Sequence, residues 1–185
     1  MTGPSLPDKI AAIHDRLSRA RIAHAFGGAL ALAYYAEPRA TIDIDLNVFV
    51  SPSRYPSVRD ALAPLGVGDE VDEAQLVREG QCRLWWDRTP LDLFFAYHEL
   101  HEAMRRGARS VPFGETRIPI LAPEHLVVCK AAYDRPKDWL DIEQVLICAE
   151  PIEADEMRAW LARLAGRHDP RTQRLDRVVA QLLGR

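Results

Sequence analysis

One stretch constrains this chain more than any other: Arg39-Ala40-Thr41-Ile42-Asp43-Ile44-Asp45-Leu46-Asn47-Val48-Phe49-Val50. It alternates as far as Val48, which predicts a strand with Ile42, Ile44, Leu46 and Val48 on one face. Arg39, Thr41, Asp43, Asp45 and Asn47 then share the other face. Asp43 and Asp45 therefore point the same way, and at neutral pH they repel each other unless a cation sits between them. Mg²⁺ takes carboxylate oxygens of this kind and leaves room for substrate phosphates. An amphipathic surface strand with a polar outer face has the same pattern, so the neighbouring segments have to decide between the two.

Upstream, Ser5-Leu6-Pro7-Asp8 is a helix start, and Ile10, Ile13 and Leu17 recur at helical spacing, predicting a helix over 6–22. Ile22 to Phe26 reads as a short strand. Gly27-Gly28 follows at once, then a helix over Ala29 to Ala36 that Glu37-Pro38 ends. Glycines at a strand–helix junction allow a tight turn and close backbone approach, and a helix N-terminus offers N–H groups to an anion. A plain turn without a ligand fits the same dipeptide.

Downstream, a helix is expected over Arg54 to Leu65, stopped by Gly66-Val67-Gly68, then an acidic loop with a short element over Asp69 to Glu79. Gln81 to Asp87 reads as a strand, Arg88-Thr89-Pro90 as a turn and Leu91 to Phe95 as a second strand. Asp92 sits among apolar neighbours, where an acid is costly unless it is paired or binds a cation. Beside the Asp43/Asp45 strand it would be a third carboxylate; on an edge strand it would face water. Tyr97 opens a helix running to Arg106, and its His98-Glu99-Leu100-His101-Glu102 lacks the second histidine of a zinc-protease motif. Ser110 to Ile120 reads as a hairpin at a sheet edge.

From Pro123 the chain reads as helices. Lys130 adjoins the apolar stripe of Leu126, Val127 and Ala131, and Asp134-Arg135-Pro136-Lys137 is a break. Asp138 is then expected to cap the next helix, with Asp141 an acid of its first turn. Two further helices are expected at about 153–166 and 170–183. From Met157 onward seven arginines face two aspartates, a pattern of a solvated helical face or, less commonly, of a polynucleotide-facing patch. The order implies a mixed α/β (α+β) core over 1–122, a small mixed sheet flanked by helices, and a C-terminal helical region over 123–185 packed on that core.

The net charge of -3 gives no global attraction to nucleic acid or anionic membrane. No apolar run is long enough for a membrane span, and Met1 to Lys9 lacks a signal-peptide layout. Cys82, Cys129 and Cys148 are widely spaced, which fits a reducing cytoplasm better than a disulfide framework. Of the 24 Lys and Arg residues only Lys9, Lys130 and Lys137 are lysines.

Three segments together resemble the DNA-polymerase-β-type nucleotidyltransferase superfamily, and most closely its small bacterial AbiEii-like and minimal nucleotidyltransferase branch. They are Phe26-Gly27-Gly28-Ala29-Leu30-Ala31-Leu32, the Arg39 to Leu46 strand, and Ile120 to Lys130 with Arg135 to Ile142. The resemblance implies transfer of a nucleoside monophosphate from an NTP to an acceptor: tRNA, a protein side chain or a small molecule such as an antibiotic. By the same resemblance Asp43, Asp45 and Asp92 would be catalytic and hold one or two Mg²⁺ ions, with Mn²⁺ as a substitute. Gly27 and Gly28 would hold the triphosphate, with Lys130 or Lys137 neutralising its charge and Arg39 and Thr41 reaching substrate. Many members have Gly-Ser where this chain has Gly27-Gly28, so a phosphate-touching hydroxyl is missing. The branch also brings an expectation of a toxin paired with a cognate antitoxin. The competing expectation is a catalytically silent nucleotide- or partner-binding module of the same fold.

Overall fold

A computed structural model describes residues 3–68, 70–149 and 151–184. Met1 and Thr2 of the 1–9 stretch, Asp69 of the acidic loop, Glu150 and Arg185 lie outside the described residues. The elements are, in order, α1 (Leu6–Arg19), β1 (His24–Phe26), α2 (Gly28–Leu32), β2 (Ile44–Val48), α3 (Tyr55–Leu62), α4 (Glu73–Glu79), β3 (Gln81–Trp86) and β4 (Thr89–Phe95). After them come α5 (Glu99–Gly107), β5 (Arg109–Phe113), β6 (Thr116–Ile120), α6 (Pro123–Tyr133), α7 (Pro136–Cys148), α8 (Ala154–Ala165) and α9 (Pro170–Leu183). They fall into two compact units. One holds the described residues up to Leu30 with Ala40–Ile120; the other holds Ala31–Arg39 with the described residues from Leu121 on.

The first unit is built on a six-stranded sheet in the order β3-β4-β2-β1-β6-β5. It is mixed: β2 pairs β4 and β1 pairs β6 in parallel, while β1–β2, β3–β4 and β5–β6 are antiparallel. The alternation seen in the sequence sorts the faces. Ile44, Leu46 and Val48 of β2 share the buried face with Leu91, Leu93 and Phe95 of β4, Leu84 of β3 and Phe26 of β1. The stripe of α1 (Ile10, Ile13, Leu17) and that of α3 (Tyr55, Val58, Leu62) are buried too. Ser5 and Asp8 close the capping box that starts α1. The Lys9 ammonium ties α1 to the β3–β4 turn, donating to the Trp86 carbonyl at 2.8 Å and the Thr89 hydroxyl at 3.0 Å and pairing with Asp87 at 3.2 Å.

Several local expectations are revised. The strand expected over 39–50 begins only at Ile44, and Ile42 is 71% exposed. The Thr41 hydroxyl accepts the Asp43 N–H at 3.2 Å, a local turn that withdraws this donor from the sheet. The helix after Gly27 ends at Leu32, not Ala36, because Tyr34 and Tyr35 donate to Ala31 and Leu32 and tighten the chain into a turn. The β3–β4 turn is Asp87-Arg88, with Asp87 at φ 53, so Thr89 and Pro90 are strand residues. Pro90 is tolerated because β2 first meets β4 at Leu91, leaving no partner on that side to want its missing N–H. Asp138 is not the cap of α7: Arg135 is, Asp138 is the third helical residue, and Asp141 lies beyond the first turn.

The second unit contains α6 to α9. In α6 every residue from Pro123 to Ala131 except Cys129 is buried, so its apolar stripe widens to nearly the whole helix. The Trp139 indole donates to Asp134 at 2.7 Å and carries the Arg174 guanidinium over its ring at 4.3 Å. No helix among the described residues is long and apolar enough to cross a membrane.

Candidate functional site

In the first unit the acids form a row across the polar face of the sheet. Asp45 of β2 is the register partner of Asp92 of β4. Directly opposed residues of a parallel pair send their side chains to the same face, from strands about 4.8 Å apart. Asp43 precedes the strand by one residue, fixed by its bond to Thr41. All three acids are partly exposed.

Gly27 and Gly28 are bound to this row. The Gly27 N–H donates to the Asp45 carbonyl at 2.9 Å, so that donor is already engaged. Gly28 has φ 52, and a Cβ built on it would lie 1.7 Å from Oδ2 of Asp45. The close approach a glycine permits is thus made by the Asp45 side chain. The glycine pair expected to hold a triphosphate seats one of the acids, and the helix after it has five residues.

A residue absent from the sequence expectations completes the row. Arg83 of β3 is the register partner of Asp92 and grips it as a fork, Nε to Oδ1 at 2.7 Å and Nη2 to Oδ2 at 2.8 Å. Its pKa is raised by the hydrogen bond to Asp92, then by that residue's charge, with smaller contributions from Asp43 and Asp45. The Arg83 guanidinium also lies 5.9 Å from the centre of the half-exposed Trp85 ring. On the other face of β3, burial first and the Asp92 charge second push the Cys82 thiol up to about 12, which leaves it inert at neutral pH.

Carboxylate oxygens are the donor type Mg²⁺ takes, and Asp43 and Asp45 are of that type. Asp92 as it stands does not complete a set: both its oxygens are on Arg83. Among the described residues no three His, Cys, Asp or Glu side chains are grouped closely enough to hold a metal ion.

Arg39, Lys130 and Lys137 belong to the second unit. The Lys130 ammonium is buried and pairs with Asp141 at 2.6 Å and with Asp138 at 3.8 Å. Arg39 reaches the same Asp141 oxygen at 3.1 Å, and Arg135 forks Asp138 at 2.6 and 3.0 Å. Burial would raise the Asp141 carboxyl; Lys130 and then Arg39 outweigh it and hold the group below its ordinary value. Lys130 is therefore matched by two carboxylates, while Lys137 is exposed. The arginines of the tail are largely engaged: Arg158 with Asp155 and Asp176, Arg171 with Asp169, Arg163 over Trp160 and Arg174 over Trp139.

No protein-family model matches the chain, and no curated protein matches its sequence. Solved structures do match. The antibiotic-resistance factor ANT(2'')-Ia in complex with adenylyl-2''-tobramycin superposes with a TM-score of 0.62 at 15% identity, over 88% of this chain and 98% of that one. Its solution structure gives 0.59 at 17% identity, over 86% and 90%. The lincosamide antibiotic adenylyltransferase LnuA, with lincomycin bound, gives 0.53 at 14%, over 74% and 94%. At these identities the likeness is one of architecture, and the architecture of this chain is the nucleotidyltransferase fold.

Proposed function

We propose that the protein is a nucleotidyltransferase that moves a nucleoside monophosphate from an NTP to a hydroxyl-bearing acceptor. The observation that carries this reading is the in-register placing of Asp45 and Asp92 on parallel neighbouring strands of such a fold, with Asp45 seated on Gly28. In the reaction the acceptor oxygen bonds to the α-phosphorus, the bond from that phosphorus to the bridging oxygen breaks, and pyrophosphate leaves. Asp43 and Asp45 would hold the divalent cation, Mg²⁺ or Mn²⁺, and Asp92 would take the acceptor proton. A bound cation supplies charge neutralisation at the transferring phosphoryl group.

The neighbours named above act on or bind small antibiotics, which favours a small hydroxylated molecule as acceptor over tRNA or a protein. The engaged arginines of the tail support the same choice. The test is transfer of label from each α-labelled NTP, with Mg²⁺, to antibiotic panels, total tRNA and protein extract. Transfer that survives Asp45→Asn would refute the mechanism. A toxin held by an antitoxin would instead arrest growth on expression, with rescue by the product of an adjoining gene. The fork of Arg83 on Asp92 favours a second reading, a nucleotide-binding module that transfers nothing; it predicts NTP binding with no labelled acceptor.

A further inference from the structure

The strand order β3-β4-β2 puts Asp92 in the middle of three side chains on one face, with Arg83 on one flank and Asp45 on the other. A carboxylate in that position has two alternative partners. Without a cation between the acids, Asp45 repels it and Arg83 attracts it; with a divalent cation there, the balance reverses. The structure holds the first arrangement, both Asp92 oxygens turned to the guanidinium. Arg83 is half exposed and Asp92 is 22% exposed, so the pair is solvent-screened on one side and exchangeable.

We infer that Arg83 is a built-in counter-ion that competes with a divalent cation for Asp92. Asp43 and Asp45 take a first cation without disturbing it. A second cation, or any cation that needs Asp92 as a ligand, binds only as Arg83 lets go. Trp85 on the same strand face gives the released guanidinium a place to rest, since the two already lie against each other. Arg83 is then free to meet an anionic group of the substrate, and its charge beside Asp92 disfavours a cationic acceptor until that release. The other charged groups in its field are Asp43 and Asp45, both of which draw it toward the row and neither of which replaces the fork. Arg83 is thus a positioning residue for Asp92. The inference rests on the proposed metal-dependent transferase reading and adds the control of one ligand.

Mn²⁺ binding, followed by calorimetry and by the loss of the free-ion electron paramagnetic resonance signal, tests it on the full chain. Arg83→Gln is expected to tighten the Asp92-dependent Mn²⁺ about five- to tenfold. Arg83→Lys, which keeps the charge and loses the fork, should fall between. Asp92→Asn should remove that binding step, and adding Arg83→Gln to Asp92→Asn should then change nothing. Unchanged or weaker Mn²⁺ affinity in both Arg83 variants, with Asp92→Asn still lowering it, overturns the counter-ion and leaves the transferase intact. Absence of Mn²⁺ binding in the wild type and in every variant overturns the transferase reading itself, and the counter-ion with it.

Discussion

Gly28 and Asp45 share one space. The Asp45 carboxylate fills the volume a side chain at position 28 would need, and Gly28 holds φ 52 to leave it free. Two elements that the sequence separates, the turn before α2 and strand β2, are locked together at Asp45.

Gly28→Ala should therefore fail twice, through left-handed backbone strain and through collision with Asp45. The strain alone is worth about 1–2 kcal/mol. A drop in thermal midpoint of several degrees, with loss of label transfer, is the expected result. A variant as stable and as active as the wild type would show that the carboxylate has another seat.

On the proposed mechanism Asp92→Asn removes the carboxylate that would take the acceptor proton, and should lower transfer by about 10²–10⁴-fold. Its effect on stability should be small, since Arg83 is half exposed and regains water. Steady-state transfer rates beside urea denaturation separate the two. An equal fall in both would make Asp92 a structural acid.

Lys130→Met leaves Asp138 and Asp141 buried with fewer cations, and breaking a buried pair costs about 3 kcal/mol or more. The urea midpoint should fall markedly with no nucleotide present. A purely nucleotide-binding lysine would weaken NTP affinity and leave the midpoint alone.

Stability should depend on pH through His24. Burial lowers its pKa to about 4, against a smaller opposing bond from its ring nitrogen to the Ile22 carbonyl and a small further lowering by His14. Between pH 6.5 and about 4 the unfolded chain binds a proton that the folded one refuses. The contribution is complete above the unfolded value and is lost as pH falls through that window, on the order of 3 kcal/mol in all. His101 and His125 are lowered too, burial first in each, and act in the same direction. Denaturation midpoints at pH 7, 5.5 and 4.5 test this, and His24→Gln should flatten the slope. A slope unchanged by that substitution would assign the effect to other groups.

The sequence carried the fold well where periodicity was long. The α8 and α9 boundaries fell within a residue of expectation, and the two faces of β2 followed from alternation alone. It misled where a side chain competes with the sheet. Ile42 keeps the alternation, but the Thr41 hydroxyl ends the strand first. Arg83 is hidden in the sequence because Arg88-Thr89-Pro90 has the composition of a hairpin turn. With the turn at Asp87-Arg88, the antiparallel register sets Arg83 opposite Asp92 directly. Lys130 was legible as a lysine at the margin of an apolar stripe; its partners were not, because they lie on the next helix. Gly28 was legible as a close-approach glycine, while what approaches it is set by strand pairing that local sequence does not encode.

The β3–β4 hairpin also says something about how the chain assembles. Its two strands are joined by a tight turn, whereas β2 and β4 run parallel and must be brought together across all the residues between them. Local hairpins form within microseconds, and parallel pairings with long connections come later. On that order Asp92 would reach Asp45 with Arg83 already paired to it and its charge neutralised. A chain without the fork on the edge strand should therefore refold more slowly in low salt than in high salt.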